Sequence, residues 1–279
     1  MRVIIVGSGR LAYQCAKVSK DKGFDTNVVE YKIADVSVLE KMCSSGGIDY
    51  RCLNKKDLHD YLLDISEKSY VFSLMNTYLF PADVIDNSNL VIVNAHNSIL
   101  PDHGGRNAEA WEIFDQDEEA AVTWHYVTTD VDGGNIIAQR RFEVEDNWTA
   151  IQLLQYQNRL EAEMFEAVLD KCEKGEAVGT KQDKITNKRF HYSYDIPNEG
   201  RLDLAWPIDK IYAFLRAMDY GPLKLLGEPF VEIDGKSYVW KKYSAIEEVD
   251  SEDCTENVDN DIVIIRNKKM IRLVEASEK

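Results

Sequence analysis

The sequence predicts an α/β chain: a doubly wound, mostly parallel sheet followed by a small β-rich C-terminal domain. Three observations carry that expectation. A β-branched run over 2–6 closes on Gly7-Ser8-Gly9 and leads into an amphipathic stretch with Leu11, Cys15 and Val18. A second strand over 27–31 completes a βαβ unit of about 30 residues, the building block of a parallel sheet. Past Gly221 the apolar pattern changes to alternation, the period of a strand rather than a helix.

Further strands are expected over 70–75, 90–94 and 121–127. Asn54, with Asp57 three residues on, marks a helix start, and Pro81 opens a turn over 81–85. Residues 149–174 carry Ile151, Leu154, Leu160, Met164, Val168 and Cys172 near helical spacing, which predicts one long helix with an apolar stripe against the sheet. That helix ends the first domain. Residues 178–194 are polar and weakly periodic and read as a connector. Pro207 stands where a first helical turn tolerates it, before Ile211, Phe214 and Leu215. Residues 230–233, Asp234-Gly235 and 237–241 predict a hairpin, because Asp-Gly supplies the positive φ angles of a two-residue turn. A second hairpin joins 261–266 to 270–274 near Asn267. Between the two, 247–261 is rich in Asp, Glu and Asn and reads as an exposed loop. The expected division is a catalytic domain over 1–177, a connector over 178–205 and a small helix-plus-hairpin domain over 206–279.

Composition narrows the functional classes. The 279 residues carry 33 basic and 49 acidic side chains, a net charge of −16, so a phosphate backbone would be repelled unless a local basic patch intervened. No nucleic-acid partner is favoured. Cys15, Cys43, Cys52, Cys172 and Cys254 are scattered without a CxxC pair, which suits neither a disulfide framework nor a zinc cage, and no metal is expected. No stretch reaches the ~18 apolar residues of a membrane span. A reduced, cytoplasmic protein without membrane contact is the expectation.

Two places offer chemistry. The first is Gly7-Ser8-Gly9-Arg10-Leu11-Ala12, a GxGxxA turn with Glu30 about 20 residues further on, which suits a dinucleotide and hence an NAD-dependent oxidoreductase. A tight first turn is equally what any parallel sheet requires. The second is the run from Asn94 to Pro101, at the carboxyl end of an expected central strand, where open α/β sheets place their ligands. Asn94, His96 and Ser98 alternate there after an apolar strand and are costly to bury without partners, so they are expected to face a cleft. A second signature, the strand ending in Trp124, His125, Tyr126 and Val127, precedes Asp132 on a loop with Gly133 and Gly134. A carboxylate beside an imidazole favours its charged form, which suits a group that shuttles a proton near neutrality.

Together these residues resemble the formyltransferases that use 10-formyltetrahydrofolate, a family that includes enzymes acting on methionyl-tRNA, glycinamide ribonucleotide and nucleotide-linked sugars. The family pattern NxHxSxLP, a Gly-containing loop, VTxHxV and DxG is matched by Asn94 to Pro101, Gly104-Gly105, Val122 to Val127, and Asp132-Gly133-Gly134. A weaker likeness continues at Gly200 to Asp203 and Leu215 to Ala217. The resemblance implies a Rossmann-like formyltransferase domain with a reduced C-terminal domain, closest in size and organisation to the nucleotide-sugar enzymes.

The resemblance also implies roles. Asn94 and protonated His96 would stabilise the charge that grows on the formyl oxygen, and Asp132 would hold His96 and help remove the amine proton. The folate donor would lie against Met75, Asn76, Tyr78, Leu79 and Phe80 on one side and Val127, Asp130 and Val131 on the other; Tyr78 and Phe80 are equally credible as core aromatics. Gly7, Ser8, Gly9, Arg10, Gly105 and Arg106 would belong to the acceptor side. Ser98 reads as a local hydrogen-bonding partner, His103 as solvent-facing and His125 as a packing residue, while His59 and His191 have no partner readable from sequence. Departures from the family pattern are Trp124 within the VTxH segment and Asn135 where an acidic residue is common.

The acceptor implied is a nucleotide-linked amino sugar. Another small amine, such as an amino acid, hydroxyornithine or a peptide-synthesis intermediate, is the alternative, as is methionyl-tRNA. The tRNA acceptor is disfavoured because 33–50, where a basic inserted loop would fall, carries Lys41 alone as a base. A folate-binding or hydrolytic relative would keep the same pocket, and a homodimer is compatible with any of these readings.

Overall fold

The computed structural model describes residues 1–31, 37–183 and 188–279. The first part of the 33–50 stretch and the centre of the connector, 184–187, therefore lie outside the described residues. The elements run β1 (Arg2–Gly7), α1 (Gly9–Asp21), β2 (Asp25–Tyr31), α2 (Val38–Gly46), β3 (Asp49–Leu53), α3 (Lys55–Leu63), β4 (Ser69–Leu74), α4 (Ala82–Ile85) and β5 (Leu90–His96). Then come β6 (Gly104–Gly105), α5 (Ala108–Phe114), β7 (Glu119–Tyr126), β8 (Ile136–Glu143), α6 (Ala150–Lys174) and β9 (Phe190–His191). The rest is β10 (Arg201–Leu202), α7 (Ile208–Ala217), β11 (Phe230–Ile233), β12 (Lys236–Val239), β13 (Lys242–Tyr243), β14 (Glu247–Glu248), β15 (Cys254–Val258), β16 (Asp261–Arg266), β17 (Lys269–Val274) and β18 (Ser277–Glu278), with two 3₁₀ turns.

The main sheet has seven strands in the order β3-β2-β1-β4-β5-β7-β8. The first five are parallel, and β7 runs antiparallel to β5. The expected sheet is thus present, with the additional strands β3 and β8. Strand order reverses between β1 and β4, which makes their carboxyl ends a topological switch point. There the Ser8 amide donates to the Leu74 carbonyl at 3.3 Å, and the Ser8 hydroxyl to the Met75 carbonyl at 2.9 Å. A Cβ on Gly7 would stand 2.4 Å from the Leu74 carbonyl oxygen, so close approach of β1 to β4 explains that glycine.

The backbone forms two compact units, of residues 1–104, 121–141 and 156–190, and of residues 105–120, 142–155 and 191–279. In the first unit β1 is buried on both sides of the sheet. Ile4 and Val6 join Val29, Leu58, Leu62, Val71 and Ile92 in one cluster. On other buried positions Phe72 packs edge-on against Trp124 and Phe165, with ring centroids 6.1 and 5.0 Å apart. The unusual tryptophan of the VTxH segment is therefore a core residue.

In the second unit Ile208, Ile211, Phe214 and Leu215 of α7 pack with Ile262 and Ile264 of β16 and with Ile271 and Leu273 of β17. The Asp234-Gly235 turn has φ of 51° and 77°, and the β16–β17 turn has φ of 51° and 59° at Asn267 and Lys268, so both hairpins use left-handed turn residues. The acidic segment 247–261 departs from its expected loop. It supplies β14 and β15, and β15 pairs with β16 from Cys254 opposite Ile265 to Val258 opposite Asp261. A polar edge strand held by backbone hydrogen bonds carries little apolar alternation, which hid it. Among the described residues, no helix is long and apolar enough to cross a membrane.

Candidate functional site

The site grows from the end of β5. Strand periodicity puts Asn94 and His96 on one face, and pairing with β7 sets Asn94 opposite His125 and His96 opposite Thr123. The Asn94 amide Nδ2 lies 3.2 Å from His125 Nε2. His125 Nδ1 lies 2.9 Å from the carbonyl of Tyr126, which can only accept. Nδ1 therefore carries the proton, and Nε2 accepts from Asn94.

The loop between β7 and β8 then delivers a carboxylate. Asp132 takes a left-handed φ of 51°, and the Gly133 amide donates to the Asp130 carbonyl at 3.1 Å. A Cβ on Gly134 would fall 1.8 Å from the Tyr126 carbonyl oxygen, so glycine alone lets the loop press onto the strand end. From the connector, Gln182 Nε2 donates to the carbonyls of Asp132 at 2.6 Å and Gly134 at 2.8 Å. The result sets the Asp132 carboxylate between two imidazoles, with Oδ2 3.8 Å from His96 Nδ1 and Oδ1 3.6 Å from His125 Nε2.

His96 is oriented from its other side. Its Nε2 lies 2.9 Å from the His103 carbonyl and donates to it, leaving Nδ1 as the nitrogen that faces Asp132. The side chains of His96 and Asp132 are each 10% exposed, so their charges act at low effective dielectric while a ligand can still reach them. Separations of 3.6 to 3.8 Å are too long for direct hydrogen bonds.

The structure brings Asn94, His96 and Asp132 together, and adds His125. The remaining candidates divide by environment. Met75, Leu79 and Val131 are apolar side chains left 43%, 70% and 44% exposed, an available apolar lining. Asn76 is spent on its own loop, its Oδ1 accepting the Tyr78 amide at 3.0 Å. Tyr78 is buried among Tyr31 and Phe80, at centroid distances of 5.3 and 5.2 Å, and among the described residues its hydroxyl has no hydrogen-bond partner. Burial, with Asp83 nearby, pushes that phenol up to about 12. Val127 is held by its amide to the Ile92 carbonyl at 2.9 Å, and the Asp130 carbonyl accepts the Thr128 hydroxyl at 3.1 Å.

Of the residues expected to bind the acceptor, Gly9 has φ 67° and Arg10 is exposed at the start of α1. Glu30, the ribose candidate of a dinucleotide site, already accepts at Oε2 from the hydroxyls of Ser37 and Tyr50. In the second unit Gly105 has φ 96° and a Cβ there would meet the His191 carbonyl at 2.1 Å. Arg106 is exposed, and its amide donates to the same carbonyl at 2.9 Å.

Three histidines depart from or extend their sequence reading. His103, expected to face solvent, is 2% exposed, because its carbonyl must reach His96 and this draws the residue inward. His59 lies 2.9 Å from Asp83, and the carboxylates of Asp83 and Asp60 hold it above the ordinary imidazole range. His191 stacks on Trp111 at 4.1 Å and 5°. The roles of His125 and Gln182 were missed: a strand histidine resembles packing, and a glutamine 50 residues from its acceptor leaves no local pattern. Among the described residues, no three His, Cys, Asp or Glu side chains gather as a metal site would require.

Residues 40–169 match the formyl transferase family. The chain is 32% identical over 146 residues to the GDP-perosamine N-formyltransferases of Brucella melitensis and Brucella abortus, covering 52% of this chain and 54% of each relative. The match thus spans about half the length of those curated relatives. Among solved structures, the N-formyltransferase of Helicobacter canadensis, in complex with folinic acid and dTDP-3-aminofucose, superposes with a TM-score of 0.80 at 18% identity and 99% coverage of both chains. WlaRD, a sugar 3N-formyl transferase crystallised with dTDP and 5-N-formyl-THF, gives 0.77 at 20% identity over 100% of this chain and 97% of its own. Both share the fold.

Proposed function

With residues 40–169 matching the formyl transferase family, we propose that this protein is a sugar N-formyltransferase: it moves a formyl group from 10-formyltetrahydrofolate to the amine of a nucleotide-linked sugar. The observation that carries the reading is the convergence of Asn94, His96, His125 and Asp132 at the end of β5, within the matched segment. The GDP-perosamine named for the Brucella enzymes and the dTDP-3-aminofucose in complex with the Helicobacter canadensis enzyme support a nucleotide-linked amino sugar as acceptor.

The folate donor supplies an activated formyl carbon. The exposed side chains of Met75, Leu79 and Val131 suit an apolar ring face, and exposed Gly133, with no side chain, leaves backbone open to polar ring edges. Asn94 Nδ2 and protonated His96 Nδ1 are the donors available to a formyl oxygen as it gains charge. When the sugar amine attacks the formyl carbon, a C–N bond forms and the carbonyl electron pair moves to oxygen. Asp132 accepts the proton the amine then sheds, and His96 returns a proton to the departing folate nitrogen as its C–N bond breaks. The Asn94 amide is oriented by His125, which is itself fixed by the Tyr126 carbonyl.

Calorimetric titration with a non-reactive 10-formyltetrahydrofolate analogue, run beside NADH, tests the donor assignment. The folate analogue should bind and NADH should not. NADH binding alone would overturn the assignment and point to Gly7, Gly9 and Glu30.

A further inference from the structure

We propose that Asp102 and Arg189 are positioning residues, which fix the tautomer of His96 and so decide which of its nitrogens exchanges a proton. The inference rests on the proton-transfer role of His96 proposed above. It begins from the His103 carbonyl, the acceptor for His96 Nε2 at 2.9 Å. A carbonyl sets a tautomer only if it cannot turn away. His103 has a left-handed φ of 49°, a conformation that a non-glycine residue holds only when its surroundings enforce it.

Asp102 and Arg189 are those surroundings. Asp102 Oδ1 accepts the His103 amide at 3.0 Å, pinning the peptide on the near side of the residue. The same Oδ1 accepts the Arg189 amide at 2.8 Å. Arg189 Nε and Nη2 both donate to Oδ2, at 2.9 and 2.5 Å. The Asp102 carbonyl accepts the Ser98 hydroxyl at 2.8 Å, tying the turn to the strand end that bears His96. A carboxylate with three donors from one arginine residue is a rigid anchor, and a planar guanidinium resists rotation better than a flexible ammonium. Arg189 stands 87 residues from Asp102, so the connector takes part, with the turn after β5, in holding the histidine's orientation.

The alternative tautomer shows what the anchor prevents. If the His103 carbonyl swung away, Nε2 would lose its acceptor and the neutral ring could carry its proton on Nδ1. Nδ1 would then donate toward Asp132, and the basic nitrogen would point away from the substrate space.

Nitrogen-15 NMR of the full-length protein, labelled at histidine and without ligands, reads the tautomer directly; a His96→Asn variant identifies the signal. In the parent protein His96 should be in the Nε2–H form at a pH where it is neutral. Arg189→Leu should shift it to a mixture of tautomers, lower kcat on the order of tenfold to a hundredfold and leave KM within about twofold. Arg189→Lys should recover part of both effects. Asp102→Asn turns one carboxylate oxygen into a donor facing the guanidinium, should act in the same direction, and decides the matter if Arg189→Leu does not fold. An unchanged His96 signal in a folded Arg189→Leu or Asp102→Asn protein would overturn the proposal, even if the melting temperature fell. Because the NMR readout needs no substrate, a parent protein that transferred no formyl group would defeat the functional reading while leaving this test intact.

Discussion

At the residue scale, the proposed mechanism gives Asn94 and His96, at the end of β5, separable contributions. Asn94→Ala removes an amide aimed at the space where charge develops, and kcat should fall by about 10² to 10³. His96→Asn removes the proton carrier and should cost about 10² to 10⁴. In both variants steady-state kinetics should show kcat falling with little change in the KM of either substrate. These residues were legible in the sequence because their alternation follows an apolar strand, leaving polar groups that need a cleft. His125 was not, since its single polar position on a buried strand looks the same whether it packs or supports Asn94. Arg189 and Gln182 were hidden for a different reason: their acceptors lie 87 and 50 residues away, and nothing in a polar connector marks which side chain will find them. A second residue-scale prediction concerns Glu109, which accepts the Tyr220 hydroxyl at 2.6 Å. Burial raises its carboxyl above the ordinary range, against the opposing effect of that hydrogen bond. A carboxyl raised in the folded state loses stability as pH climbs from its unfolded value of about 4 through its folded value. Tyr220→Phe removes the opposing bond, so its deficit should be small near pH 4 and grow to about 1 to 3 kcal/mol at neutrality. Urea denaturation at several pH values checks this, and a deficit independent of pH would contradict it.

At the element scale, local chemistry and tertiary pairing divide the fold between them. The start of α3 is local: Asn54 Oδ1 accepts the Asp57 amide at 2.9 Å, an N-cap visible as Asn followed three residues later by Asp. Asn54→Ala should cost about 1 kcal/mol in chemical denaturation, whereas Asn54→Ser should cost less than half of that. The two hairpins were equally legible, since Asp-Gly and Asn-Lys turns accept left-handed backbone between alternating strands. By contrast β3, β14 and β15 depend on the strands beside them. The burial of β3 alternates little and β15 is mostly exposed, so each is a strand by virtue of its neighbour's backbone groups. The connector belongs to the same class, because Phe190 and His191 pair with the Gly104-Gly105 turn only once the chain has folded back.

At the scale of the whole molecule, a doubly wound sheet, whose ligand-binding end is dictated by topology, carries an amide, an imidazole and a carboxylate at that end. A net charge of −16 argues for a compact acceptor with few phosphates over a nucleic-acid chain. The central claim is formyl transfer to a nucleotide-linked amino sugar, and the most direct measurement is the mass of that acceptor after incubation with protein and 10-formyltetrahydrofolate. The account predicts an acceptor heavier by one carbonyl, formed by the parent protein and lost in His96→Asn. An acceptor of unchanged mass while formate is released would show hydrolysis instead, and transfer that survives in His96→Asn would contradict the site assigned here.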